Sequence, residues 1–392
     1  MNKWMRQLGL LSPWRVLFIV ILVLGAYATW VRFTEGLGAS TNLSDQFPWG
    51  LWIGFDVLCG VMLAAGGFLL TATVHIFNLE KFKPIIRPAV LTAFLGYSLV
   101  VVALLFDLGR SYRIWHPLIM WNPHSVMFEV GWCVTLYTTV LALEFSPMVF
   151  ERLRMETPMK IIHVVQIPLV IAGVLLSILH QSSLGSLYLI VPAKLHPFWY
   201  SPLLPLFFFV SAIGVGLAMT IFESSLSARY FKRQLELPLL QAIGRVLLVV
   251  LAFYSVLRVQ DLYYRGALGL VLESGYEQRL FLLEVTIGLV LPIILLTQRR
   301  IRDSAGGLYL CSVLVVLGFI LNRLNVSITG MEGSAGVKYM PSLTEIAVTA
   351  SIVACGFAIF GLAVKYLPVF PEEKRPPRIP LAAASVPGHA RT

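Results

Sequence analysis

Asp56, Asp107, Arg110, His124, Glu129 and the run His180-Gln181-Ser182-Ser183 sit inside or at the ends of long apolar stretches. A charged side chain in lipid is costly, so each of these residues is a functional candidate by default. Together they offer carboxylates, imidazoles, a guanidinium and hydroxyls, with Trp49 and several Phe residues close by in the sequence. Such a set can hydrogen-bond the two carbonyl oxygens of a quinone, exchange the two protons of its reduction and wall its ring. His180 is the preferred carbonyl ligand or proton donor, because a neutral imidazole donates from one nitrogen and titrates near neutrality. Asp56 and Glu129 are the preferred proton-exchange groups. Asp107 and Arg110 lie three residues apart on one helix face, so they either pair with each other or join the site. His124, Gln181, Ser183 and Trp49 complete the expected quinone-binding set.

A second set leads towards the other face of the membrane. Tyr97 lies near the middle of its apolar run, with Glu144 and Glu223 near the inner ends of theirs, and the three could be steps of a proton path. The competing reading has the glutamates snorkelling to the interface. It is favoured for Glu144 and left open for Glu223. His116 and His196 fall in connecting loops and are read as solvated. Cys59, Cys133, Cys311 and Cys355 stand singly with no CxxC run, so no iron–sulfur cluster or metal site held by this chain is expected. A haem b needs two facing imidazoles at similar depth. His75 and His163 are the pair with suitable positions, while His180 has no clear partner; the expectation is that the chain binds no haem.

The elements that position these residues must be membrane spans. Of 392 residues, 58% are hydrophobic and 13% charged, against roughly 25% charged in soluble domains. A net charge of +10 could suggest nucleic acid, but the basic residues cluster between apolar runs, as a topology signal does. A span needs about 20 apolar residues. Stretches of that kind cover 15–33, 50–77, 88–107, 125–146, 161–180, 203–225, 239–260, 281–297, 307–325 and 343–366. Residues 1–28 mimic a signal peptide ending at Ala26-Tyr27-Ala28, yet the apolar run continues to Phe33 and is read as an uncleaved first helix. Lys and Arg number 20 on the side of the termini, including Lys81, Arg152, Arg229 and Arg300, and nine on the other. Both termini are therefore expected in the cytoplasm, with the polar cluster facing a bacterial periplasm.

The fold class expected is all-α: ten transmembrane helices, arranged as two parallel-repeat four-helix bundles flanked by the first and last helices. The repeat shows in Asp107 and Glu129, matched by Asp261 and Glu284 at nearly the same spacing. The corresponding segments are 1–34 for the first helix, 47–202 and 203–326 for the bundles, 340–367 for the last helix and 368–392 for a cytoplasmic tail. Arg258, Glu284 and Arg323 are expected to neutralise one another in the second bundle. A secondary transporter, the rival class, would place its polar site at the midplane between inverted repeats.

Several of these residues fall in patches that resemble a known family. They are Phe47 to Asp56 (FPWGLWIGFD), Phe106 to Arg110 (FDLGR), Asn122 to Glu129 (NPHSVMFE), Ala142 to Phe145 (ALEF), His180 to Ser186 (HQSSLGS), Ile221 to Ser224 (IFES) and Asn322 to Asn325 (NRLN). The chain resembles the NrfD family of polysulfide and nitrite reductase membrane subunits, in particular the ten-helix HybB-type branch associated with hydrogenase-2. The resemblance implies a subunit without a redox centre of its own, binding menaquinone or ubiquinone near the outer surface. It implies a periplasmic ferredoxin-like iron–sulfur partner and a catalytic subunit such as a nickel–iron hydrogenase or a molybdopterin enzyme. Asp56, Glu129, His180 and Glu223 are the positions to which it assigns roles.

Overall fold

In lipid, backbone N–H and C=O groups must be satisfied within the segment, which leaves long apolar runs little choice but helix. The computed structural model describes residues 12–191 and 193–370. Ten helices are long and apolar enough to cross a membrane: α1 (Pro13–Thr34), α2 (Trp52–His75), α3 (Glu80–Asp107), α4 (Val126–Leu153), α5 (Glu156–Ile190), α6 (Leu204–Tyr230), α7 (Leu237–Tyr264), α8 (Tyr276–Thr297), α9 (Ala305–Ala335) and α10 (Leu343–Tyr366). They run 22 to 35 residues, enough for a hydrocarbon core of about 30 Å at 1.5 Å per residue. The chain is a multi-pass membrane protein. From residue 371 onward, the expected tail lies outside the described residues.

Local chemistry sets where helices begin and end. Ser125 and Ser304 cap α4 and α9 by accepting from the N–H of Phe128 and Gly307, and Ser342 forms a reciprocal capping box with Glu345 at α10. Arg154 takes a left-handed conformation (φ 56°) that stops α4. Several helices outrun the hydropathic windows, because the chain stays helical past its first charges until such a stop occurs. Thus α4 continues beyond 146, α5 spans well beyond 161–180, and α9 passes through a wide π turn at Asn325–Thr329 to reach Ala335.

Packing closes two rings. α2 meets α3 and α5, and α4 packs on both α3 and α5; α6, α7, α8 and α9 repeat the pattern. The rings join where α6 lies on α5 and α2, and where α9 touches α2. At that seam a Cβ on Gly216 would stand 2.9 Å from the backbone of Ala65 and Gly66, so only hydrogen fits. α1 and α10 pair with each other and lean on α3. α2 is thus enclosed by helices and is the most buried span.

Candidate functional site

The first ring holds a buried polar cluster in its own core. The Tyr97 hydroxyl of α3 lies 3.1 Å from Nδ1 of His180 on α5. The Tyr97 ring stands edge-on to Tyr137 of α4, with centroids 4.6 Å apart. Tyr97 and His180 are wholly buried and Tyr137 nearly so. Among the described residues, His180 Nε2, Gln181 Oε1, Tyr137 OH and Ser177 Oγ are buried with no hydrogen-bond partner. Buried polar atoms normally have partners, so His180 Nε2 and Gln181 Oε1 are the candidates here for contact with a ligand, while the Tyr137 and Ser177 hydroxyls lie beside each other.

Small residues in α2 help to build this cluster. At Ala64-Ala65-Gly66-Gly67 the helix tightens, and the Ala65 N–H turns to the Met62 carbonyl. The Val61 carbonyl receives the Gln181 amide instead, at 3.2 Å. One turn further out along α5, the Ser183 hydroxyl hydrogen-bonds the Glu129 carboxylate at the exposed start of α4.

Asp56 belongs to a different neighbourhood. It lies in the wide π turn that opens α2, buried, and accepts from the Thr349 hydroxyl of α10 at 2.7 Å. Trp52 is buried beside it and donates to the Glu345 carbonyl. Asp107 is also close, but its cationic neighbour is Arg32 of α1 and not Arg110. Arg32 donates from Nε to the Phe106 carbonyl at 2.6 Å and from Nη2 to the Leu108 carbonyl at 2.7 Å. It thereby caps the end of α3. Arg110 and His124 are exposed on the loop between α3 and α4, so neither an Asp107–Arg110 pair nor a buried His124 is found.

Tyr97, Glu144 and Glu223 stand on three different helices, α3, α4 and α6. Glu144 sits beside Tyr137, with its carboxylate against Gly173 of α5. It therefore faces a neighbouring helix and does not extend to the interface. Glu223 has a buried, unpartnered Oε1 near the hydroxyls of Thr92 and Ser227. Trp49 lies edge-on to Tyr188 at 5.8 Å. It forms part of an outer cavity of about 300 Å³ that Asp45, Val191, Lys194 and Met331 also line.

The second ring has its own buried centre. Glu284 accepts from Asn322 (3.1 Å), Asn325 (2.6 Å) and Trp199 (3.1 Å). Arg323 bonds Asn322 and Ser211 and stacks 3.6 Å over Phe208, while Arg258 donates to the Phe198 carbonyl. Neutral partners supply the hydrogen bonds of Arg258, Glu284 and Arg323, and no direct ion pair joins them, but Glu284 lies close enough to both arginines for their charges to act on one another. The ion pair found in this ring joins Arg265 to Asp261 at 2.7 Å.

Two titratable groups in the loops between spans are perturbed. Burial lowers His196 below its usual 6.5, partly opposed by Glu277 and Glu273. The Phe198 N–H donates to its Nδ1 at 3.2 Å, so His196 is a loop-forming residue and not the freely solvated one its position suggested. Burial pushes Tyr339 far above the ordinary phenol range, and its hydrogen bond to Glu345 adds to the rise.

The family model for polysulphide reductase NrfD matches residues 39–332. The chain belongs to the NrfD family. A protein of Nitratidesulfovibrio vulgaris is 39% identical over 374 residues, covering 93% of this chain and 96% of that one. The probable Ni/Fe-hydrogenase 2 b-type cytochrome subunit of Escherichia coli is 33% identical over 349 residues, 88% and 89% of the two chains. The menaquinone reductase integral membrane subunit of Nitratidesulfovibrio vulgaris is 29% identical over 391 residues, 92% of each.

The words "b-type cytochrome" in one relative's name make haem worth testing against this NrfD chain. His75 Nε2 is 3.1 Å from the Gln166 amide and His163 is exposed, so this pair does not offer two free buried imidazoles. No group of three or more His, Cys, Asp or Glu converges as a metal site among the described residues. Sequence reasoning missed Arg32, Tyr137, Ser177, Thr349 and Glu345. Arg32 had been counted only as a topology charge, and the hydroxyls carry no signal without their neighbours.

Proposed function

We propose that this NrfD-family chain is the quinone-handling membrane subunit of a respiratory oxidoreductase complex in a bacterial inner membrane. The observation that carries the reading is the His180 imidazole. Tyr97 holds it at Nδ1 and its Nε2 is sealed and unpartnered, beside the equally unpartnered Gln181 Oε1. With the Tyr97 hydroxyl donating to Nδ1, the ring proton sits on Nε2 and is aimed as a donor to a quinone carbonyl. Menaquinone or ubiquinone reduction takes two electrons from a partner and one proton on each carbonyl oxygen. Glu129, reached through Ser183, is the proton-exchange group on the outer side, and Tyr97 and Tyr137 wall the ring.

The electrons arrive from outside the chain, through a periplasmic ferredoxin-like iron–sulfur subunit fed by a nickel–iron hydrogenase or molybdopterin enzyme. The menaquinone reductase and hydrogenase-2 relatives support this assignment. Asp56, in its own cluster with Thr349, Asp107 and Arg32, serves as a second proton-exchange group on the α10 side. Glu223, Glu144 and Tyr97 form a route for protons from the cytoplasmic face, where both termini lie.

The test uses the complex purified with its own partners. His180→Ala should abolish quinone-linked turnover while dye-linked turnover of the catalytic partner persists. Wild-type quinone turnover in that variant would remove His180 from the site. The reduced absorbance spectrum of the purified chain should lack a haem α band, and a stoichiometric band would shift the assignment to a b-type cytochrome.

A further inference from the structure

Basic side chains on the face that carries the termini are not all alike. Lys83 pairs with Glu80 and Arg87 with Glu151. A cluster formed by Arg245 of α7 and by Arg299, Arg300 and Arg302 of the α8–α9 connection has no such partner: none lies within ion-pair distance of a carboxylate among the described residues. Asp303 follows directly in sequence, and its backbone carbonyl is what the chain uses there, accepting from Gln241 at 2.9 Å. That bond ties the start of α7 to the connection. The close approach of Gly244 to the Arg302 side chain brings the two halves of the cluster together.

Arg302 is the informative member. Its Nη1 donates to the Leu296 carbonyl, which fixes the guanidinium, while its Nε is sealed from solvent with no partner in the protein. A topology signal needs only the count of charges on this side, not a guanidinium clamped in place by a backbone carbonyl. On the same two packed helices, Val246 and Val249 of α7 and Leu291 and Ile294 of α8 are exposed apolar side chains. Positive forks at the ends of two packed helices that expose apolar side chains match a phosphate headgroup with acyl chains.

We propose that the α7–α8 inner junction binds an anionic phospholipid, its phosphate on Arg245, Arg300 and Arg302 and its chains along Val246, Val249 and Ile294. The experiment takes the full-length protein in detergent and titrates phosphatidylglycerol, phosphatidylcholine and inorganic phosphate separately, with bound lipid counted by native mass spectrometry. Phosphatidylglycerol should bind and phosphatidylcholine should not. Arg245→Gln with Arg300→Gln should weaken phosphatidylglycerol binding about thirtyfold, from the usual worth of interfacial basic residues. Arg300→Gln alone, a change at an exposed side chain, should give about a fivefold loss and covers the case in which the double variant misfolds. Arg152→Gln with Lys160→Gln, exposed on the same face, should change nothing. Equal loss in that control, unchanged binding in the cluster variants, or displacement of the lipid by millimolar phosphate (an adventitious ion only) would overturn the proposal.

Discussion

Tyr97→Phe isolates the contact on which the proposed pocket depends. The substitution removes one hydroxyl from a side chain with 0% exposure. It leaves the ring free to keep its edge-on contact with Tyr137 at 4.6 Å, so packing is conserved and no cavity of consequence opens. What is lost is the 3.1 Å bond to His180 Nδ1, which also has no exposed route to solvent. Leaving a buried acceptor unmet costs about 1–3 kcal/mol. At 1.36 kcal/mol per factor of ten, that is roughly 5- to 150-fold. The bond also selects the tautomer, so the loss should fall on quinone chemistry and not on assembly. Quinone-linked kcat/KM measured on the intact complex should drop by about one to two orders of magnitude. Membrane abundance and dye-linked turnover of the catalytic partner should stay at wild-type levels. Quinone turnover within a factor of two of wild type, in a complex that assembles normally, would refute the reasoning. An equal fall in dye-linked turnover would mean that Tyr97 acts through assembly.

Three further outcomes are expected. Gly318→Ala should prevent accumulation of folded protein, because its Cβ would stand 2.1 Å from the Gly288 Cα, a backbone atom with nowhere to move; Gly361→Ala, with open space around it, should purify normally. Acid should loosen the outer α5–α6 loop. His196 is held below 6.5, so the stability it contributes is complete above pH 6.5 and lost as pH falls through its lower folded value. Thermal midpoints at pH 7.5 and 5.5 should therefore differ less in His196→Asn than in wild type, and an identical difference would discard His196 as the cause. Glu223→Gln should diminish the membrane potential generated per quinone turned over while sparing the turnover rate, as expected if its buried carboxylate conducts; parallel loss of both would reject a conducting role.

The spans were legible because period and composition suffice for them: a run of about 20 apolar residues in water has no alternative solvent but lipid. Their ends were less so, since a helix stops at a cap or a left-handed residue such as Arg154 and not at its first charge. The grouping of polar residues was only half visible. Position along a helix can be counted from the sequence, which is how Asp56, Glu129 and His180 came to be expected at a similar depth. Direction around the helix axis cannot be counted across a π turn, where each residue is rotated away from the regular 100° step. Asp56 lies in such a turn and faces Thr349 of α10, a helix nearly 300 residues later in the chain. The spacing of Asp107 and Arg110 left open whether they pair or join the site, but the helix ends at Asp107 and the chain turns away, leaving Arg110 on the surface and the α3 carbonyls to Arg32. In the second ring, opposite charges at corresponding helix ends suggested neutralisation, and Glu284 does lie within electrostatic reach of Arg258 and Arg323. Their hydrogen bonds go to asparagine, tryptophan, serine and backbone groups, which nothing in a charge pattern announces.

The most direct measurement of the central claim is photolabelling of the intact complex with an azido-quinone, followed by peptide mapping. Label on α4 and α5 near Tyr137 and His180, competed away by native quinone and lost in His180→Ala, is the predicted result. Specific label confined to α7, α8 and α9 around Glu284 and Arg323 would contradict it and move the quinone to the second ring.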